Sequence, residues 1–159
     1  MKNIFVLLFS IIFFSNIFSQ EEISFLSANP FSFKDIIENL DNQEQQEVFG
    51  ILRLPSNISQ DEKFPLIIGV AGSLGWGPHH LEYLEMYRDM GIATFELNSF
   101  KSRGVKSTVG TQTEVTTAMM ILDVYRALEV LSNHPSIDKN SVALTGRSLG
   151  GAVTLFSGW

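Results

Sequence analysis

Three short apolar segments, each followed by a turn and a stretch of helical periodicity, most constrain how this chain can fold. They are "LIIGV" at 66–70, "IATFEL" at 92–97 and "SVALT" at 141–145. The first is nearly continuous in apolar residues, as a strand covered on both faces must be. Behind it, "HHLEYLEMYRDMG" sets Tyr83, Met86, Tyr87 and Met90 at helical spacing, with Gly91 as the stop. Behind the second, "NSFKSRGVKSTVG" reads as a polar loop. "TQTE" then offers a capping box, Thr111 with Glu114, to a helix whose apolar face is Ala118, Ile121, Leu122, Tyr125 and Leu128. Strand–helix alternation of this kind predicts an α/β fold with a parallel-sheet core, right-handed crossovers and helices on both faces. A ligand site belongs at the carboxyl ends of its strands.

The segments upstream are shorter. Residues 23–26 read as a brief strand, "NPFSFKDIIENL" as a turn into a short helix, and 46–55 as a strand closed by Pro55. "SNISQDEK" is a polar turn. The first residues, "MKNIFVLLFSIIFFSNIFSQEE", carry a positive Lys2 and an apolar run from 4 to 14 broken only by Ser10. Ser15 and Asn16 interrupt it short of the ~20 apolar residues a spanning helix needs. The expectation is a signal peptide at 1–19, cleaved after Ser19, leaving no stable membrane anchor and a secreted or periplasmic domain at 20–159. The chain's 159 residues are 45% hydrophobic and 18% charged, as a single globular domain requires. A formal net charge of −6 argues against nucleic-acid partners, which demand a basic face. With no cysteine, disulfides, thiolate metal sites and cysteine nucleophiles are excluded.

The third strand runs into Gly146-Arg147-Ser148-Leu149-Gly150, a G-x-S-x-G pentapeptide followed by small and apolar residues. A serine hydroxyl attacks well only when it projects clear of the backbone and meets a base. A strand-to-helix corner sharp enough to expose it crowds its neighbours, and Gly146 and Gly150 relieve that crowding. Ser148 is therefore the expected catalytic nucleophile. The Leu149 N–H, at the start of the following helix, is one expected oxyanion donor. The second should come from the loop after the first buried strand, "AGSLGWG" at 71–77, with the Ser73 N–H as candidate. A serine at a glycine-rich turn is more often a plain helix cap, and the ordered strands and helices around this one argue for the nucleophile instead.

With these residues in place, the chain resembles the dienelactone hydrolase family of the α/β-hydrolase fold. The resemblance runs through "FGILRLP", "FPLIIGVAGSLGWGP", "GIATFELNSFKSRGV" and "AMMILDVYRALEVLSNHPSIDKNSVALTGRSLGG". It implies hydrolysis of a small-molecule carboxylic ester or similar acyl bond, with no metal and no cofactor. Two departures stand out. Such hydrolases commonly carry His-Gly after the first buried strand, where this chain has Ala71-Gly72. The family's namesake uses cysteine as nucleophile, where this chain has Ser148.

A serine hydrolase of this fold places a carboxylate and then a histidine after the nucleophile. "LGGAVTLFSGW" supplies neither. His134 precedes the third strand and falls at the wrong end of the sheet, about 16 Å from Ser148 at ~3.3 Å per residue. His79 and His80 follow the glycine loop at the correct rim, with a surface role the plainer reading. Arg103 and Lys101 also follow a strand's carboxyl end, and Arg103 is a candidate for binding a substrate carboxylate. These gaps raise the expectation of an α/β-hydrolase domain that stops just after the nucleophile elbow. The competing readings are a catalytically inactive envelope binding protein and a non-functional fragment with the same fold. A nucleotide-binding loop is disfavoured, since "AGSLGWG" lacks the lysine of a phosphate-binding motif.

Overall fold

The computed structural model describes residues 20–56 and 63–158. The expected signal peptide and most of the polar turn after Pro55 lie outside them. The strands are β1 (Gln20–Ala28), β2 (Gln45–Arg53), β3 (Phe64–Val70), β4 (Ala93–Leu97) and β5 (Ile137–Gly146). The helices are α1 (Phe33–Glu38), α2 (Pro78–Asp89), α3 (Thr117–Leu131) and α4 (Leu149–Ser157).

The strands form one five-stranded sheet in the order β1-β2-β4-β3-β5. Its core, β4-β3-β5, is parallel as expected, while β1 and β2 add antiparallel partners on the β4 side. The sheet is therefore mixed. The short run at 23–26 is the middle of a nine-residue strand, extended because it pairs along its whole length with β2. Register decides where a ligand can sit. Val70 lies opposite Leu97 on one side and Gly146 on the other, so three parallel strands end level and deliver their loops to one rim.

Side chains alternate across each strand, and the two faces are covered by different helices. Leu66, Ile68 and Val70 of β3 and Ala93, Phe95 and Leu97 of β4 join Met120, Val124 and Leu131 of α3 in the main core, which Leu149 and Val153 of α4 extend. On the opposite face α2 presses Leu84 toward Gly69, where a Cβ would come within 2.8 Å of the Trp76 ring. The face of α2 expected to be buried is not. Tyr83, Met86 and Met90 are exposed, because α2 turns Leu84 toward the sheet, with Arg88 one turn on donating to the Thr94 hydroxyl of β4 at 2.9 Å, and the others lie around the helix from these two.

α3 also begins later than the capping-box reading required. Thr111 and Glu114 stay in an exposed turn, and the cap is Thr116, whose hydroxyl oxygen accepts from the Met119 N–H at 3.2 Å. Thr116 wins because it is buried and its hydroxyl also donates to the Pro30 carbonyl at 3.1 Å, tying the helix start to the chain after β1. The first half of α3 is buried nearly all round, packed between the sheet and α4.

At the far side β5 is the last strand, with Lys139, Asn140, Ser141 and Ala143 exposed. Among the described residues nothing pairs with its outer edge.

Candidate active site

β5 ends at Gly146 and α4 begins at Leu149, so two residues must reverse the chain. Ser148 does so with φ 55° and ψ −120°, a left-handed conformation that costs a non-glycine residue about 1–3 kcal/mol. The flanking glycines are steric requirements. A Cβ on Gly146 would overlap the Gly150 carbonyl, and a Cβ on Gly150 would overlap the carbonyls of Val70 and Ala71. α4 thus starts in contact with the end of β3, and Ser148 is pushed outward. It is exposed, and its hydroxyl does not cap the helix it precedes.

The loop after β3 comes to the same place. Gly72 lies so near that a Cβ on it would be 3.1 Å from the Arg147 carbonyl oxygen and 3.8 Å from Ser148 Cβ. Residues 72–75 form a tight turn closed by the Gly75 N–H donating to the Gly72 carbonyl at 2.9 Å. From behind, the Thr108 N–H donates to the Ser73 carbonyl at 2.9 Å. The Trp76 indole donates to the Leu97 carbonyl at 2.9 Å, anchoring the loop to the end of β4. The Ser73 and Leu149 amides donate to no carbonyl among the described residues. Ser73, Arg147, Ser148 and the two histidines share an open cleft of about 500 Å³.

His80 is fixed at this cleft. Its Nδ1 accepts from the Gly77 N–H at 3.0 Å, which leaves Nε2 to carry the proton of the neutral ring. Its ring meets Trp76 edge-on and lies 3.9 Å, centroid to centroid, from that of His79. Burial holds its pKa below the ordinary imidazole value, and His79 and Arg147 push in the same direction. No carboxylate lines the cleft among the described residues, so neither imidazole has an orienting acid there. His134 sits at the opposite end of the sheet, 3.2 Å from a Glu21 carboxylate oxygen.

Arg103 does not face the cleft, and the expectation that it binds a substrate carboxylate is corrected. Its side chain is 5% exposed and all its N–H groups are engaged. Nη1 and Nη2 bind the Asp123 carboxylate at 2.7 and 3.0 Å, with further bonds to the Ser99 and Ala28 carbonyls and Asn29 Oδ1. Ser27 donates to Asp123 as well, at 2.6 Å. Sequence reasoning missed Asp123 as the partner. Its signal was there: one acid inside the apolar stretch "AMMILDVYRAL" is rarely buried unless paired. Lys101 stays exposed, its ammonium 5.5 Å from the Phe49 ring centroid. No group of acidic or histidine side chains suited to a metal ion occurs among the described residues.

This sheet, with its glycine-enforced serine corner at the level carboxyl ends of β3 and β5, is an α/β-hydrolase fold. Solved structures agree. The chain aligns over 86% of its length with 53% of a dienelactone hydrolase-like promiscuous phosphotriesterase from metagenomic libraries, at TM-score 0.56 and 17% identity. It aligns over 87% of its length with 40% of an α/β hydrolase from Penicillium sp. sh18, at TM-score 0.60 and 17% identity. The chain therefore spans about half the length of the first of these proteins. The model of the acetyl xylan esterase family matches residues 105–158, the segment that holds α3, β5 and the serine corner. No curated protein matches the chain by sequence.

Proposed function

We propose that this chain carries the nucleophile and oxyanion site of a serine hydrolase acting on a small-molecule carboxylic ester or a related acyl bond. One observation carries the reading: Ser148 is held exposed at φ 55° on a corner that two glycines make sterically possible, inside the cleft shared with the 72–75 loop. Strain of this kind persists where the surrounding structure enforces it, and it clusters at functional sites.

In this mechanism Ser148 Oγ attacks the ester carbonyl carbon and a base takes its proton. The carbonyl oxygen becomes an oxyanion and accepts from Leu149 N–H and Ser73 N–H. The tetrahedral intermediate expels the alcohol, which leaves with that proton, and water then releases the acid from the acyl-enzyme. The reading requires an oriented histidine that the described residues do not bring to the cleft with a carboxylate behind it. No metal or organic cofactor has a step in this scheme. The positive, then apolar, composition of residues 1–19 supports export to the periplasm or beyond.

The second reading, a binding protein of the same fold without catalysis, is favoured by the absence of a carboxylate in the cleft among the described residues. A fluorophosphonate probe separates the two. Covalent labelling that disappears in Ser148→Ala establishes the nucleophile, and equal labelling of both proteins refutes it.

A further inference from the structure

Two large apolar side chains line the Ser148 cleft without a role in the core. Leu74 is 76% exposed and Val109 63%, and both share that cleft with Ser148 and Ser73. They come from different loops, and the backbone sets them there. Leu74 is the third residue of the 72–75 turn, beyond buried Ala71 and Gly72. Val109 follows Thr108, which is fully buried and whose N–H holds the Ser73 carbonyl. That bond pins the two loops together one residue before each apolar side chain. The second loop also has its own order. The Val109 N–H donates to Ser107 Oγ at 3.2 Å, the Gln112 N–H donates to the Thr108 carbonyl at 3.2 Å, and Gly110 turns the chain at φ 95°. Apolar residues scattered singly over a surface need no explanation. Here two are delivered from separate loops to one cleft, where Pro78 adds apolar wall and no carboxylate opposes them among the described residues.

We propose that Leu74 and Val109 select the substrate: the ester that Ser148 takes carries an unbranched aliphatic acyl chain, which lies along these two side chains while its carbonyl meets the serine. The inference rests on the hydrolase reading and narrows its substrate class from any small ester to one with an apolar acyl group. Hydrocarbon withdrawn from water supplies the selectivity, at up to about fourfold for each methylene fully buried and less against an open wall. The cleft, at about 500 Å³, has the size of an ordinary small-molecule site. The chain belongs to the acyl half because that half stays on Ser148 through both steps, while the alcohol needs an open path to leave. Leu74 also directly follows Ser73, the proposed oxyanion donor, so the same turn that meets the carbonyl oxygen offers the chain its first contact.

p-Nitrophenyl acetate and p-nitrophenyl hexanoate share a leaving group and differ by four methylenes. Each acylation forms the bond from Ser148 Oγ to the carbonyl carbon, expels one p-nitrophenolate, and passes the serine proton to the base and on to solvent. Absorbance counts the p-nitrophenolate, and release by Ser148→Ala is subtracted. The hexanoate should react at least about tenfold faster than the acetate at equal low concentration. Leu74→Ser combined with Val109→Ser should bring that ratio to within about twofold of one. Leu155→Ser, on α4 and 73% exposed, should leave the ratio as in the parent. Leu74 and Val109 are exposed, so the double variant should melt close to the parent temperature, and its lost preference is not lost folding. A ratio near one in the parent, or undiminished in the double variant, overturns this proposal alone. A chain preference seen only between hexyl acetate and ethyl acetate overturns it as well, since the chain would then sit on the alcohol. Release no faster than from Ser148→Ala refutes the hydrolase reading, and this proposal with it.

Discussion

Replacing Arg103 with methionine tests the interior of this fold most directly. The substitution keeps much of the side chain's length and apolar stem, and removes the guanidinium that faces Asp123. Asp123 is fully buried, and its remaining described partner would be the Ser27 hydroxyl. Stranding one member of a buried pair typically costs about 3–5 kcal/mol, because the orphaned charge keeps its desolvation penalty. The Ser99 and Ala28 carbonyls and Asn29 Oδ1 lose their donor too, so the upper part of that range is expected. At roughly 2–4 °C per kcal/mol for a domain of this size, the melting temperature should fall by about 10 °C or more. Urea unfolding at pH 7 gives the free energy, provided the slope is unchanged. The companion double variant, Arg103→Met with Asp123→Leu, removes both charges and should recover most of the loss. A single variant that loses less than about 1 kcal/mol, or a double variant no better than the single, refutes the argument that this pair acts as a buried unit.

Other outcomes follow from the site and the sheet edge. Ser148→Gly relieves the left-handed backbone and should raise stability by about 1 kcal/mol while abolishing fluorophosphonate labelling; a loss of stability would show the corner is unstrained. His80, its pKa lowered by burial and by His79 and Arg147, binds fewer protons folded than unfolded. Its contribution to stability should therefore decline as pH drops through the ordinary value of about 6.5, and its NMR titration midpoint should lie below that of a free imidazole. A midpoint above 6.5 would contradict the packing described. Ala143→Lys, placed on the exposed outer edge of β5, should reduce self-association measured by light scattering without lowering the melting temperature. Unchanged scattering would mean the edge does not drive association.

The sequence by itself determined the buried parallel strands, the order in which helices cover them, and the corner at Ser148. Each of these is written locally. A continuous apolar run at 66–70 tolerates no solvent on either face, and glycines two residues before and after a serine mark a backbone too crowded for a Cβ. The tertiary structure alone decided the rest. Thr116 caps α3 instead of Thr111 because a carbonyl some 86 residues away accepts from its hydroxyl. Arg103 serves the core instead of a substrate because Asp123, 20 residues further on, meets it there. Tyr83, Met86 and Met90 share a helical stripe, yet helical periodicity cannot say which stripe a sheet will cover, and here Leu84 takes that position. The antiparallel β1–β2 edge likewise arises from segments that meet only on folding, since pairing energies between distant residues leave no mark on either segment alone.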